Sequence, residues 1–223
     1  MLKSLTIALL CFCLPLSTYA GTLVRLTTSE GVIDVELEDE KSPASVKNFL
    51  NYADKYFYNG LIFHRVIKNF MIQTGGITFD YQRKEVGDPV KNESNNGLLN
   101  KAGTLAMARM PDPDSATSQF FINLTDNPHL DFKTATPSQN GKPASPERPG
   151  YTVFGKVIKG MDVIEKIGKT KTRRYFRFAN LPRKAIYLEK VERIKPATDK
   201  STVTNNTSSE ENNSIKTITE KKS

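Results

Sequence analysis

The 223-residue chain has no tryptophan, two histidines and two cysteines. Both cysteines, Cys11 and Cys13, lie within the first 20 residues. Beyond that segment there is no thiol, which removes disulfides, cysteine metal sites and cysteine nucleophiles from consideration. Neither His64 nor His129 has a second histidine at metal-ligand spacing, so no zinc ligand set can be assembled. No G-x-S-x-G stretch is present for a nucleophile elbow. Gly75-Gly76 is not followed by the rest of a phosphate-binding loop. A triad of Ser118, His129 and Asp131 exists only on paper. The residues of covalent, metal and phosphate chemistry are therefore scarce.

A long hydrophobic run is also missing. The apolar stretch from Leu5 to Leu16, behind Lys3 and ahead of Ser-Thr-Tyr-Ala, is shorter than the ~20 residues a membrane span needs. It has the three regions of a secretory signal peptide, so residues 1–20 are expected to be a leader and the mature protein to be exported. A periplasm is the expected destination, with full secretion as the other possibility, and no stable membrane insertion is expected. After Pro196 aromatic residues stop. Residues 197–223 are polar, and their four acidic side chains balance four lysines. Such a segment buries too little apolar surface to offset its ordering entropy and is expected to be disordered. The formal charge of +8, less the one charge of Lys3, leaves +7 on residues 21–196. That segment is the length of one domain with a proper core.

The middle segment reads as strands with two helices. Thr22 to Thr28 and Val32 to Glu38 flank Ser29-Glu30-Gly31, a hairpin signal. Ser42-Pro43 supplies an N-cap and an N1 proline. Val46, Phe49, Leu50, Ala53 and Phe57 follow at helical spacing. Further strands are expected at Leu61 to Ile67, Thr104 to Ala108, Gln119 to Asn123, Thr152 to Val157 and Lys184 to Ile194. A second helix near Met161 to Gly168 turns Val163, Ile164 and Ile167 inward. Many strands, frequent turns and two helices predict a mainly β fold: a closed barrel with helices over its ends. Residues 131–150, with four prolines, and the basic, aromatic residues 169–183 read as long loops.

One stretch stands out, FHRVIKNFMIQTGG at 63–76. Arg65 sits in an apolar run with no carboxylate near it in sequence. Period two puts Phe63, Arg65 and Ile67 on one face, and His64 and Val66 on the other. Lys68-Asn69 can turn the chain, since asparagine tolerates left-handed angles. Phe70, Met71 and Gln73 then return beside Arg65. An arginine covering apolar barrel surface with its stem explains the pattern equally well.

FHRVIKNFMIQTGG, GTLAMARMPDPDSATSQFFIN and YTVFGKVIKGMDVIEKI, in that order, closely resemble the cyclophilin-type peptidyl-prolyl cis-trans isomerases. The similarity runs over roughly residues 22–194, and the leader with SATSQFFIN looks most like the bacterial periplasmic subgroup. The resemblance implies an eight-stranded antiparallel barrel capped by two α-helices, no cofactor and no metal. It implies that Arg65 is catalytic, that Phe70 and Met71 wall a proline pocket, and that Gln73 binds substrate. Ala108 and Arg109 match the strand that pairs with the substrate backbone. Gln119 and Phe121 match further subsites, and Leu130 matches the pocket floor. His129 stands where many eukaryotic members carry a tryptophan that hydrogen-bonds cyclosporin, so binding of that drug is expected to be weak. Tyr151 replaces a histidine found in many members and is expected to line the pocket without a catalytic role. The implied partners are proline-containing peptides and exported proteins that are unfolded or folding, met by a monomer.

Two rivals remain at this level. One is a non-catalytic module that binds proline segments or chaperones unfolded chains. The other uses Lys169 to Arg177 to bind anions, for which basic-aromatic interleaving is weak support. A solvated loop explains that stretch more simply, and no nucleic-acid partner is expected. Residues 131–150 are expected to be a surface excursion or a segment overhanging the site.

Overall fold

The computed structural model describes residues 20–138 and 144–195. The expected leader, apart from Ala20, and the polar tail at 197–223 lie outside the described residues. The described residues form eleven strands: β1 Leu23–Thr28, β2 Gly31–Leu37, β3 Leu61–Ile62, β4 Arg65–Ile67, β5 Met71–Thr74, β6 Thr104–Met107, β7 Phe120–Asn123, β8 Val153–Lys159, β9 Thr172–Tyr175, β10 Phe178–Pro182 and β11 Tyr187–Arg193. Helices α1, Pro43–Asp54, and α2, Met161–Gly168, complete the fold with a 3-10 turn at Pro128–Leu130. Nine strands make one antiparallel sheet in the order β3-β11-β1-β2-β8-β6-β7-β5-β4, and β9 and β10 form a separate hairpin. The chain is mainly β with two helices, as expected.

The sheet has nine strands where eight were expected, because Leu61 to Ile67 is not one strand. Phe63 and His64 interrupt it. The pairing partner changes there, with β3 beside β11 and β4 beside β5. The interruption also corrects the predicted faces. Phe63 and Val66 both enter the main core, while Arg65 between them is exposed. Strict alternation fails where the strand is interrupted and the pairing partner changes.

The core lies between the sheet and the helices. Phe49 of α1 meets Tyr58, Phe120 and Phe154 at ring-centroid distances of 5.2, 5.4 and 5.3 Å. Pro43 begins α1 as expected, but Ser42 does not cap it with its side chain. Its hydroxyl donates to the Val153 carbonyl at 2.6 Å. The free N–H groups of the first turn are satisfied from outside. The Glu93 carboxylate accepts from the N–H groups of Ala44 and Ser45 at 3.0 and 2.9 Å. A negative charge at that position is also favourable to the helix dipole. Phe57 lies beyond the helix end but still packs on the core.

The basic segment 169–183 is not a loop throughout. Its centre is the β9–β10 hairpin, anchored by Leu181 on Ile62 and Ile77 and by Tyr175 and Phe178 beside Tyr81. Residues 131–138 and 144–150 are tied together by the bridges Lys133 to Arg148 and Thr136 to Ser145.

Candidate active site

Arg65 and Gln73 face each other across the β4–β5 hairpin. The turn uses Asn69 at φ 57°, the left-handed conformation anticipated for it. The Arg65 guanidinium donates to Gln73 Oε1 at 3.3 Å, and Gln73 Nε2 donates to Gln119 Oε1 at 2.9 Å. No carboxylate pairs with Arg65 among the described residues. Partial desolvation lowers its pKa from that of a free guanidinium. Arg65 remains a cation, held by neutral amides and short of acceptors.

Beside it is a cup of about 150 Å³ lined by Arg65, Phe70, Met71, Gln73, Arg109, Phe121, Leu130 and Tyr151. Met71 and Phe121 are buried and lie on the neighbouring strands β5 and β7. Phe121 meets Tyr151 edge to face at 5.6 Å. Leu130 comes from the 3-10 turn, and its carbonyl accepts from the Tyr151 N–H at 2.8 Å. His129 lies outside the cup and stacks on Phe70 at 5.5 Å. The rim therefore has an aromatic pair where the sequence offered two isolated residues.

Arg109 uses its side chain on the protein. Nε donates to the Gly150 carbonyl and a terminal nitrogen to the Pro149 carbonyl, both at 3.2 Å. Its guanidinium covers the Tyr151 ring at 4.6 Å. Its main-chain N–H and carbonyl make no hydrogen bond among the described residues. Ala108 has already committed its N–H to the Gln119 carbonyl at 2.9 Å. Of the expected backbone pair, Arg109 offers both of its groups and Ala108 lacks its donor. Ala108, Arg109 and Gln119 line an adjoining cavity of about 290 Å³, separate from the cup.

Sequence reasoning missed the supports of this geometry. Asn127 donates through its side chain to Asn123 Oδ1 at 2.7 Å and to the Phe70 carbonyl at 3.1 Å. That pins the 3-10 turn beneath the cup. Gly75, at φ 93°, and Gly76 are there for close approach. A Cβ on Gly76 would stand 2.7 Å from the Gln119 side chain. The paper triad dissolves. His129 stacks on Phe70, Asp131 accepts from the Asn100 N–H at 2.7 Å, and Ser118 is buried with an unpartnered hydroxyl.

The family model described as cyclophilin type peptidyl-prolyl cis-trans isomerase/CLD matches residues 23–193. A peptidyl-prolyl cis-trans isomerase of Acinetobacter baylyi is 46% identical over 192 residues, spanning 86% of this chain and 96% of the relative. Peptidyl-prolyl cis-trans isomerase B of Escherichia coli is 45% identical over 169 residues, spanning 76% and 98%. A cyclophilin-type isomerase of Cryptosporidium parvum, crystallised in the presence of the dipeptide Ala-Pro, shares the fold. Its TM-score is 0.62 at 24% identity, covering 78% of this chain and 99% of that one. Match and geometry agree over one stretch, from the first strand to the last, and the chain belongs to the cyclophilin-type peptidyl-prolyl cis-trans isomerase family.

Proposed function

We propose that this chain catalyses cis-trans isomerisation of X-Pro bonds in exported proteins, using Arg65 and the adjoining cup. One observation carries the reading: a guanidinium with no carboxylate partner stands on the wall of a cup that Phe70, Met71, Phe121 and Leu130 help to build.

The X-Pro bond turns slowly because rotation breaks amide resonance, with a barrier of about 18–20 kcal/mol. Acceleration of about 10⁵-fold requires roughly 7 kcal/mol, at about 1.4 kcal/mol per decade. A hydrogen bond to a charged group contributes only about 1.5–3 kcal/mol. Arg65 therefore needs help. As the bond twists, the prolyl nitrogen recovers its lone pair and becomes an acceptor. Arg65 donates to that nitrogen, an interaction present in the transition state and absent from either planar ground state. Phe70, Met71, Phe121, Leu130 and Tyr151 hold the ring away from water, where the bond is stronger. Gln73 and the free main-chain groups of Arg109 hold the flanking peptide while the other side rotates. No bond breaks, so no nucleophile or proton acceptor is required. The test is proline-isomer exchange in a model peptide with wild type and Arg65→Ala. Equal rates would sink the assignment.

The sheet is read as a closed barrel. In support, Phe63 N–H donates to the Ile186 carbonyl at 2.9 Å, Ile62 N–H to Ile77 at 2.9 Å and His64 N–H to Gln73 at 3.2 Å. These bonds tie both edges of the sheet through one continuous stretch. Export is supported by the leader pattern at 1–20, and N-terminal sequencing of the mature protein tests it. Among the described residues no helix is long and apolar enough to cross a membrane.

A further inference from the structure

On the other side of the Arg65–Gln73 pair from the cup lies a second cavity, of about 330 Å³. Arg65, Gln73, Arg83, Gln119 and Arg177 line it, with His64 at its base. Three guanidiniums converge there, and no carboxylate is among the lining residues. Arg83 and Arg177 have no ion pair among the described residues. Arg177 is held in place: it donates to the Tyr81 carbonyl and covers the Phe178 ring at 5.0 Å. Neutral side chains complete the lining: Gln73 and Gln119 stand beside the cations, and His64 is buried beneath them.

We propose that this arginine pocket is a specificity subsite that accepts an anionic side chain, carboxylate or phosphoryl, near the isomerising proline. Guanidiniums without a carboxylate partner round one cavity attract an anion, which accepts forked hydrogen bonds from them. The pocket shares Arg65 and Gln73 with the cup. An extended peptide advances about 3.3 Å per residue, so the anion belongs to a residue within about three positions of the proline. The anion also sits beside Arg65 and polarises the choice of substrate at the point where catalysis occurs. The β9–β10 hairpin thus acts on peptide substrates, and not as a general anion-binding surface.

The inference rests on the isomerase reading, and the experiment separates the two. Full-length mature protein is titrated with peptides around Ala-Pro that carry Gln, Glu, Lys or phosphoserine at each of three positions on either side. Affinity and exchange rate are read by NMR from the same samples. Exchange on the Gln peptide reports on isomerisation, whereas the Glu-to-Gln affinity ratio reports on the pocket whether or not turnover occurs. At one position Glu is expected to bind about three- to fivefold more tightly than Gln, the range of an exposed charge pair. Lys is expected to bind more weakly than Gln. A larger gain for phosphoserine than for Glu assigns phosphorylated segments as the better ligands, and an equal gain assigns acidic ones. Arg177→Gln and Arg83→Gln should each bring the ratio towards one. Arg174→Gln, on the same hairpin but outside the pocket, should leave it unchanged. A ratio of one at every position overturns the proposal. So does a preference that survives both pocket variants, or one lost equally in Arg174→Gln.

Discussion

The proline cup and the arginine pocket share Arg65 and Gln73, but they are made of different materials. The cup wall is Met71 and Phe121, buried side chains on the paired strands β5 and β7. The pocket wall is Arg83 and Arg177, exposed cations on edge segments, one at the tip of a hairpin. A ring must be gripped in one geometry, so its contacts belong to the core. A charge is felt over several ångströms, so its partners can stand on mobile-length stems at the rim. On the proposed reading, rate is built into the sheet and selectivity into what folds over its edge.

Several changes would break or sharpen that contrast. The largest effect is expected from Phe121→Ala, which cuts into core and cup together. Loss of a buried phenylalanine costs about 3–5 kcal/mol, to be read in urea unfolding. A wild-type unfolding curve would show that the cup is not part of the core.

His64 lies between the two regions and comes next. Burial above all, with repulsion from Arg65 and Arg83, lowers its pKa from 6.5 to about 4. The unfolded chain therefore takes up a proton near pH 6.5 that the folded chain refuses until about pH 4. Its contribution is fully present above pH 6.5 and is lost as pH falls towards 4, on the order of 3 kcal/mol in all. Unfolding free energies at pH 7 and 4.5 should differ accordingly in the wild type and much less in His64→Phe. The same pH slope in both proteins would locate the effect elsewhere.

Gln73→Ala breaks the chain from Arg65 to Gln119 without removing the cation. A lost neutral hydrogen bond of about 1 kcal/mol corresponds to about a fivefold fall in kcat/KM. Stability should hardly move, and a rate equal to wild type would make Gln73 a bystander. The smallest effect distinguishes the two regions by salt alone. Between roughly 0.05 and 0.5 M ionic strength, screening should about halve any preference for an acidic neighbour. Exchange of a neutral peptide should stay level over that range. Parallel losses on both peptides would erase the distinction.

Local patterns predicted much of this. Pro43 starts its helix, Asn69 takes the left-handed turn, and the β1–β2 hairpin forms around its glycine because each depends on neighbours in sequence. The motifs also brought Arg65, Phe70, Met71, Gln73, Phe121, Leu130 and Tyr151 to one cavity. What stayed hidden depends on distant partners. Glu93 caps a helix that begins 50 residues before it, which no capping signature near Ser42 can express. The β9–β10 hairpin read as a loop because its apolar anchors, Ile62 and Ile77, are supplied by another part of the chain. Arg109 was matched to the substrate through its backbone alone, and the motif did not show that its guanidinium braces residues 149–151. Phe63 left the predicted face because a change of pairing partner interrupts the strand.

The central claim is that one guanidinium, left without a counter-ion beside the cup, lowers the barrier to proline rotation. Exchange of an Ala-Pro peptide by wild type and Arg65→Ala, with thermal unfolding of both, tests it most directly. The expected result is a fall in kcat/KM on the order of 10²-fold, from a lost charged hydrogen bond of about 1.5–3 kcal/mol, with unfolding unchanged. Exchange at the wild-type rate in a folded Arg65→Ala protein would contradict it.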